Sequence, residues 1–265
     1  MIYTCYEMIR DCRAGRAEGW RYFVSTYVPV IRKLWRHYQP GSTMDTAALQ
    51  TALAHLHRGE SGLFPSPEPA LERCFVAHLR QKVLELLPPD AGSAAIDLET
   101  VAAALEPMTL VEKQAAWLET MLYAPAETAV LLRMAPPTVE KIRARSAELV
   151  RGKVDSWSVH MLGEDGRALG RAAASAGTPQ CLPAKPFLDM LDGRATWRGR
   201  EELERHVTGC WHCIDHFCRL LEVAELLRGN RPLSDAEAAP FCEFLGVSPL
   251  RQPAWKRWLA GGRAG

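Results

Sequence analysis

Residues 206–213 read HVTGCWHC, which places a histidine ahead of a close cysteine pair as His206-x3-Cys210-x2-Cys213. Thiolates and a neutral imidazole are the donors that suit Zn2+ in a tetrahedral site. Two cysteines separated by two residues can bite one ion, and a histidine one helical turn earlier lies on the same side. A closed structural site needs a fourth ligand. Cys181, just ahead of a helix expected over 184–192, is the choice, with His212, His216 and Cys218 as competitors. His212 is expected to point away from the metal, and Cys218 to sit in the core facing Leu221. The plainer alternatives are buried thiols with a surface histidine, or a redox Cys-x2-Cys pair.

A second group of side chains suits nucleic acid. Val139, Ile142, Ser146 and Leu149 recur at three, four and three residues, forming one inward helix face. That leaves Thr138, Lys141, Arg143 and Arg145 outward. A recognition helix needs this division, with apolar packing behind and donors or cations toward the major groove. Pro137 suits a first helical turn, where its missing N–H is not needed. A short helix pair with solvated charges is the alternative reading.

Catalytic signatures are missing. The chain holds no G-x-x-x-x-G-K, no G-x-G-x-x-G after a strand and no G-x-S-x-G. Four protein ligands would close a zinc site, whereas a catalytic zinc keeps an open position. His55, His57 and His78 read as surface or helix-end residues, so the expectation is a non-enzymatic protein.

These groups must be held by helices, because periodicity near 3.6 dominates the chain. Phe23, Tyr27, Ile31, Leu34 and Tyr38 share one face of a helix over 18–38, with Arg32, Lys33 and Arg36 on other faces. Gly15 and Gly19 flank a break from a shorter helix near 3–14, and Pro29 is expected to kink or weaken the second helix. Further helices are expected near 44–57 and 70–87, the latter ended by Pro88-Pro89, and a helical block covers 109–151. Residues 152–180, rich in Gly, Ala and Ser, read as a loose connector. A compact helical unit follows over 183–228, and the tail beyond Arg231 carries Phe241, Phe244, Leu245, Trp255 and Trp258. The expected fold class is all-α.

Net charge is only +1 over 265 residues, with 48% hydrophobic and 24% charged side chains, so any surface for nucleic acid must be local. Basic residues gather in 1–40, in 138–153 and in the last fifteen positions. No run approaches the ~18 apolar residues of a membrane span. The opening MIYTCYEMIRDCRAGR lacks the order of a secretory signal. A cytoplasmic setting with reduced thiols is the expectation for the eight cysteines.

Three stretches resemble known families. LETMLYAPAETAVLLRMAPPTVEKIRARSAELVR resembles region 4 of extracytoplasmic-function sigma factors, a helix-turn-helix that reads the promoter −35 element. EMIRDCRAGRAEGWRYFVSTYVPVIRKLWRHY resembles the start of their region 2. CLPAKPFLDMLDGRATWRGREELERHVTGCWHCIDHFCRLLEVAELLR resembles the zinc-associated anti-sigma domain over about fifty residues. That resemblance implies Cys181, His206, Cys210 and Cys213 as zinc ligands, and flanking helices that wrap sigma regions 2 and 4.

The organisation it implies is a region 2-like domain over 1–89, a region 4-like domain over 105–152 and a linker over 153–180. A zinc domain over 181–230 and a helical tail over 231–265 complete it. Implied partners are core RNA polymerase, promoter DNA and an intramolecular contact between the zinc domain and the sigma-like parts. There are departures from the sigma pattern. STMDTAALQ keeps Asp45 and Gln50 but has Ala47 and Ala48 where the polymerase-docking surface is usually acidic. FVAHLRQKVLEL, around Arg80, is only loosely similar to the promoter-melting helix. Arg133 and Ala135 replace the turn glycine and capping serine.

Overall fold

The structure, a computed structural model, describes residues 3–39, 45–58, 62–64, 71–87, 97–151 and 164–247. These residues are helical with no strand among them, in agreement with the expected all-α class. The first group comprises α1 (Cys5–Arg13), α2 (Ala17–Tyr38), α3 (Thr46–His57) and α4 (Glu72–Glu85). The middle group comprises α5 (Leu98–Leu105), α6 (Leu110–Thr120), α7 (Pro125–Leu132) and α8 (Pro136–Val150). The last comprises α9 (Glu164–Ser175), α10 (Ala184–Leu191), α11 (Trp197–Thr208), α12 (Trp211–Leu227) and α13 (Asp235–Phe244).

Local chemistry starts these helices where the sequence allows it. Thr4 and Glu7 form a capping box on α1, Ser234 and Glu237 form one on α13, and Asp97 accepts from the Thr100 N–H to open α5. Helix α5 was not expected, although the Asp97 cap was its available signal. Gly19 is required by packing. A Cβ there would stand 2.6 Å from the Cys12 backbone nitrogen, because α1 folds back hard against the first turns of α2.

Helix α2 runs through Pro29 without ending. The proline has no N–H to give the Ser25 carbonyl, and that carbonyl instead accepts from the Leu233 N–H at 2.8 Å. One residue on, Asn230 Nδ2 donates to the Thr26 carbonyl at 2.9 Å. The proline therefore creates the acceptor that seats the 230–233 turn and leads into α13.

Two cores result. The first gathers the predicted face of α2 (Phe23, Tyr27, Ile31, Leu34, Tyr38) with α1, α3 and α4. The second gathers α5, α6, the inward faces of α7 and α8, and α9 to α12. Helix α12 belongs to both. Its Cys213, Ile214, Phe217, Cys218 and Leu220 lie in the second core, and Val223 and Leu226 lie in the first.

This arrangement corrects the expected domain scheme. The 153–180 segment is not a connector throughout, because 164–175 form α9, and Leu169 and Ala173 are fully buried against α6 and α12. Small side chains permit that close approach; Gly170 lies beside Asp215, where an added Cβ would stand 3.9 Å from Oδ1. Nor is 181–230 a separate unit, since α12 touches α2, α4, α6 and α7 as well as α9, α10 and α11. The expected tail is divided likewise: α13 buries Phe241 in the first core, while Trp255 and Trp258 lie outside the described residues.

A polar junction stands where the groups meet. Glu222 is fully buried on α12 and pairs with the Arg80 guanidinium of α4. Tyr38 of α2 donates to its Oε1 at 2.7 Å, and Tyr123, after α6, donates to the same oxygen at 3.0 Å. Arg80 Nη2 also donates to the Tyr38 hydroxyl at 2.6 Å. Paired and multiply hydrogen-bonded, the buried charge is tolerated. Beside it, His37 Nε2 lies 2.7 Å from the Met121 carbonyl and its ring packs on Tyr123.

Candidate metal centre and the helix-turn-helix

Cys181, His206, Cys210 and Cys213 come together, with their ligand atoms all within 4.8 Å of one another. Cys181 Sγ and Cys210 Sγ are 3.7 Å apart, and His206 Nε2 is 3.2 Å from Cys213 Sγ. Metal–sulfur bonds of about 2.3 Å in a tetrahedron place two sulfurs roughly 3.8 Å apart, so the sulfur edge has the span such an ion needs. The cluster is able to hold a metal ion, and its Cys3His composition suits Zn2+.

Three elements position the donors. His206 closes α11, Cys210 is the N-cap of α12, and Cys213 lies in the first turn of α12. Thiolates there face the positive end of the helix. Cys181 sits in a turn ahead of α10, where the Thr178 backbone N–H donates to its sulfur at 3.2 Å. That N–H holds the Cys181 thiol below its ordinary range, whereas burial pushes Cys213 up to about 12. A buried thiol that resists ionisation gives up its proton readily only to a cation, which ties metal affinity to pH.

The competing ligands lie elsewhere. His212 turns to the Ala173 and Ala174 carbonyls of α9, with Nδ1 3.1 and 3.0 Å away. Cys218 is fully buried against the Gln114 carbonyl rather than against the cluster. The ring of His216 stands edge-on to Phe187, 5.1 Å away.

Burial, followed by the neighbouring Arg219 and His212, holds His216 down to about 4. An unfolded chain takes that proton near pH 6.5, so stability is full above about 6.5 and falls as pH drops toward 4. His216→Gln should flatten this slope relative to the native chain in urea titrations. A native-minus-variant difference independent of pH over that window would count against the assignment.

Among the described residues no helix is long and apolar enough to cross a membrane. No family model, curated protein or solved structure matches the chain.

The α6–α8 group carries the other predicted residues. Helix α7 ends with Arg133 in the left-handed region at φ 54°, and the Met134 N–H reaches back to the Ala129 carbonyl at 2.9 Å. Arg133, which stands where the similar sigma region has a turn glycine, thus has the conformation that favours glycine. Arg133→Gly should stabilise the chain by roughly 0.5–1 kcal/mol, since strain relief exceeds the entropy glycine adds to the unfolded chain. A lower urea midpoint for this variant would contradict that account. Ala135 begins α8 with no side-chain cap.

Helix α8 buries Val139, Ile142 and Ser146, as the periodicity implied, and leaves Thr138 and Lys141 exposed. The two arginines are already engaged. Arg143 pairs with the buried Glu119 of α6, and Arg145 Nη1 lies 2.6 Å from Glu112 Oε1. Sequence periodicity placed both outward but carried no sign of their partners on α6.

Proposed function

We propose that this chain is a sigma-like transcription regulator, with a structural zinc at Cys181, His206, Cys210 and Cys213. In this reading α12 closes its two sigma-like parts into one unit. Core RNA polymerase and promoter DNA are its partners, and it is not an enzyme. The observation that carries the reading is the sharing of α12. The helix begins at the metal ligands and ends between the first and middle helix groups, with Glu222 joined to Tyr38, Arg80 and Tyr123. Arg80 lies in the stretch similar to a promoter-melting helix, and it is 5% exposed under α12. A chain with this arrangement keeps that surface covered until α12 lets go. The closed unit is consistent with inhibition in cis.

The test is retention of core RNA polymerase and of promoter duplex by the full chain, zinc-loaded and after chelation. Chelation should raise both several-fold, because loosening α12 uncovers α4 and frees the middle group. In that opened state Lys141→Ala should weaken duplex binding by about 1 kcal/mol and lower the salt slope by about one. Arg143→Ala should instead destabilise the fold, since it leaves Glu119 buried without its partner. Unchanged retention after chelation, or equal effects of the two substitutions, would overturn these assignments.

One observation favours a second reading, a sigma-like adaptor that no longer engages polymerase. Gln50 Nε2 donates to the Pro240 carbonyl at 3.2 Å, and Asp45 is committed to capping α3. The segment assigned by resemblance to polymerase docking is thereby partly covered by α13. A chain that holds no polymerase in either metal state supports the adaptor.

A further inference from the structure

A cavity of about 470 Å³ is bounded by α4, α6, α7, α10 and α12. It lies on the far side of α12 from α9 and apart from the metal ligands, and nothing in the proposed function uses it. Its volume falls within the ~300–1,000 Å³ of small-molecule sites. Leu131 of α7, Met190 of α10, and Phe217 and Leu221 of α12 give it an apolar wall. Gln114 of α6 also lines it. That residue is 6% exposed, and among the described residues its Nε2 has no hydrogen-bond partner. A buried amide left so carries a desolvation cost that an acceptor brought by a ligand, such as a carboxylate oxygen, would recover.

The charge at the rim has a definite sign. Arg73, Arg133 and Arg228 line the cavity together with Asp192 and Glu225, so three positive groups meet two negative ones. Arg73 Nη1 is 2.7 Å from Asp192 Oδ1, and Arg228 Nη1 is 2.7 Å from Glu225 Oε2. Arg133 has no ion pair among the described residues. One uncompensated guanidinium in a cavity with one apolar wall and an otherwise polar lining matches one anionic group on an apolar body. Guanidinium suits carboxylate in particular, through paired N–H donors.

We infer that this cavity is a binding site for a small amphipathic monocarboxylate, its carboxylate at Arg133 and its apolar body against Phe217 and Leu221. The site draws walls from all three helix groups, so an occupant bridges them and stabilises their joined form by mass action. This assignment does not rest on the transcription reading.

The test uses the zinc-loaded full chain, with octanoate, decanoate and 2-naphthoate as probes and decanol and decylamine as uncharged and cationic controls. Calorimetry and thermal unfolding are the readouts. At least one acid should bind saturably, one per chain, and raise the melting temperature, while the controls bind at least tenfold more weakly. Arg133→Gly, which is expected to fold at least as well as the native chain, should weaken that acid about tenfold, the worth of one charge-assisted contact. Leu221→Trp, which fills the cavity, should abolish binding with an unchanged circular dichroism spectrum. Should this variant unfold, Met190→Trp fills the same space from α10. No saturable binding by any of the three acids up to about 1 mM would overturn the proposal. So would equal affinity for the amine, or affinity untouched by both the charge and the cavity substitutions.

Discussion

Cys210→Ser should release the metal and lower the stability of the whole chain by at least about 5 kcal/mol, because metal-binding free energy in small zinc units is largely folding free energy. Four donors converge from the end of α11, the start of α12 and the turn before α10. Among the described residues, little else joins these elements firmly. Trp197 at the head of α11 is 78% exposed, and the buried side chains of α10 and α11 are few: Phe187, Leu188, Leu203 and Val207. Without the ion, three thiol groups and an imidazole lose what holds them together, and the α10–α11 hairpin is expected to detach first. Since α12 serves both cores, the loss should spread beyond the hairpin. Metal content by elemental analysis and urea unfolding measure the two effects together. His206→Cys, which keeps four donors, should retain both metal and stability. Acid should mimic the cysteine substitution, since protons compete for the thiolates and affinity falls as pH drops. Native-like stability in a metal-free Cys210→Ser chain would sink the idea of a structural ion.

The second large effect is expected at Glu222. Replacing it with leucine removes the anion but leaves Arg80 buried and charged, and strips the acceptor from Tyr38 and Tyr123. Breaking one side of a buried pair typically costs about 3–5 kcal/mol. Arg80→Met combined with Glu222→Leu should recover most of that loss, because no unpaired charge then remains. The double-mutant cycle reads this directly as a large coupling energy. Urea unfolding followed by tryptophan fluorescence should also become less cooperative in Glu222→Leu, as the two cores lose their shared anchor. Tyr38 and Tyr123 are held un-ionised far above the ordinary tyrosine range, chiefly by burial and then by the Glu222 charge opposed in part by Arg80. An unfolded chain would ionise them near pH 10, so stability is fully present below about pH 10 and lost above it. Additive single and double substitutions would show that the four side chains do not act as one unit.

Much of the candidate site was legible along the chain. His206, Cys210 and Cys213 are local, separated by a helical turn and a tight bend, and spacing of that kind survives any tertiary arrangement. The buried face of α2 and the inward residues of α8 were legible for the same reason, since a 3.6-residue period records which side of a helix meets a core. The missing turn glycine was readable too, and Arg133 does adopt the left-handed conformation. Cys181 was different. It was chosen over three competitors for its place ahead of an expected helix, with the resemblance in support, and only the folded chain brings its sulfur to Cys210.

What tertiary structure alone decided is how the parts join. Glu222 reads as one more acid on an amphipathic helix, yet it is buried because Arg80, Tyr38 and Tyr123 arrive from distant stretches to neutralise and bond it. The Gly/Ala/Ser-rich 164–175 segment has the composition of a linker, but small side chains also permit close helix packing, and its neighbours settle which of the two occurs. Arg143 and Arg145 lie on the face that periodicity marks as outward, and Glu119 and Glu112 on α6 turn them to structural use. A local period records which face is apolar. It carries no information about which distant charge will meet a polar one, and those meetings are what make three apparent domains one folded unit.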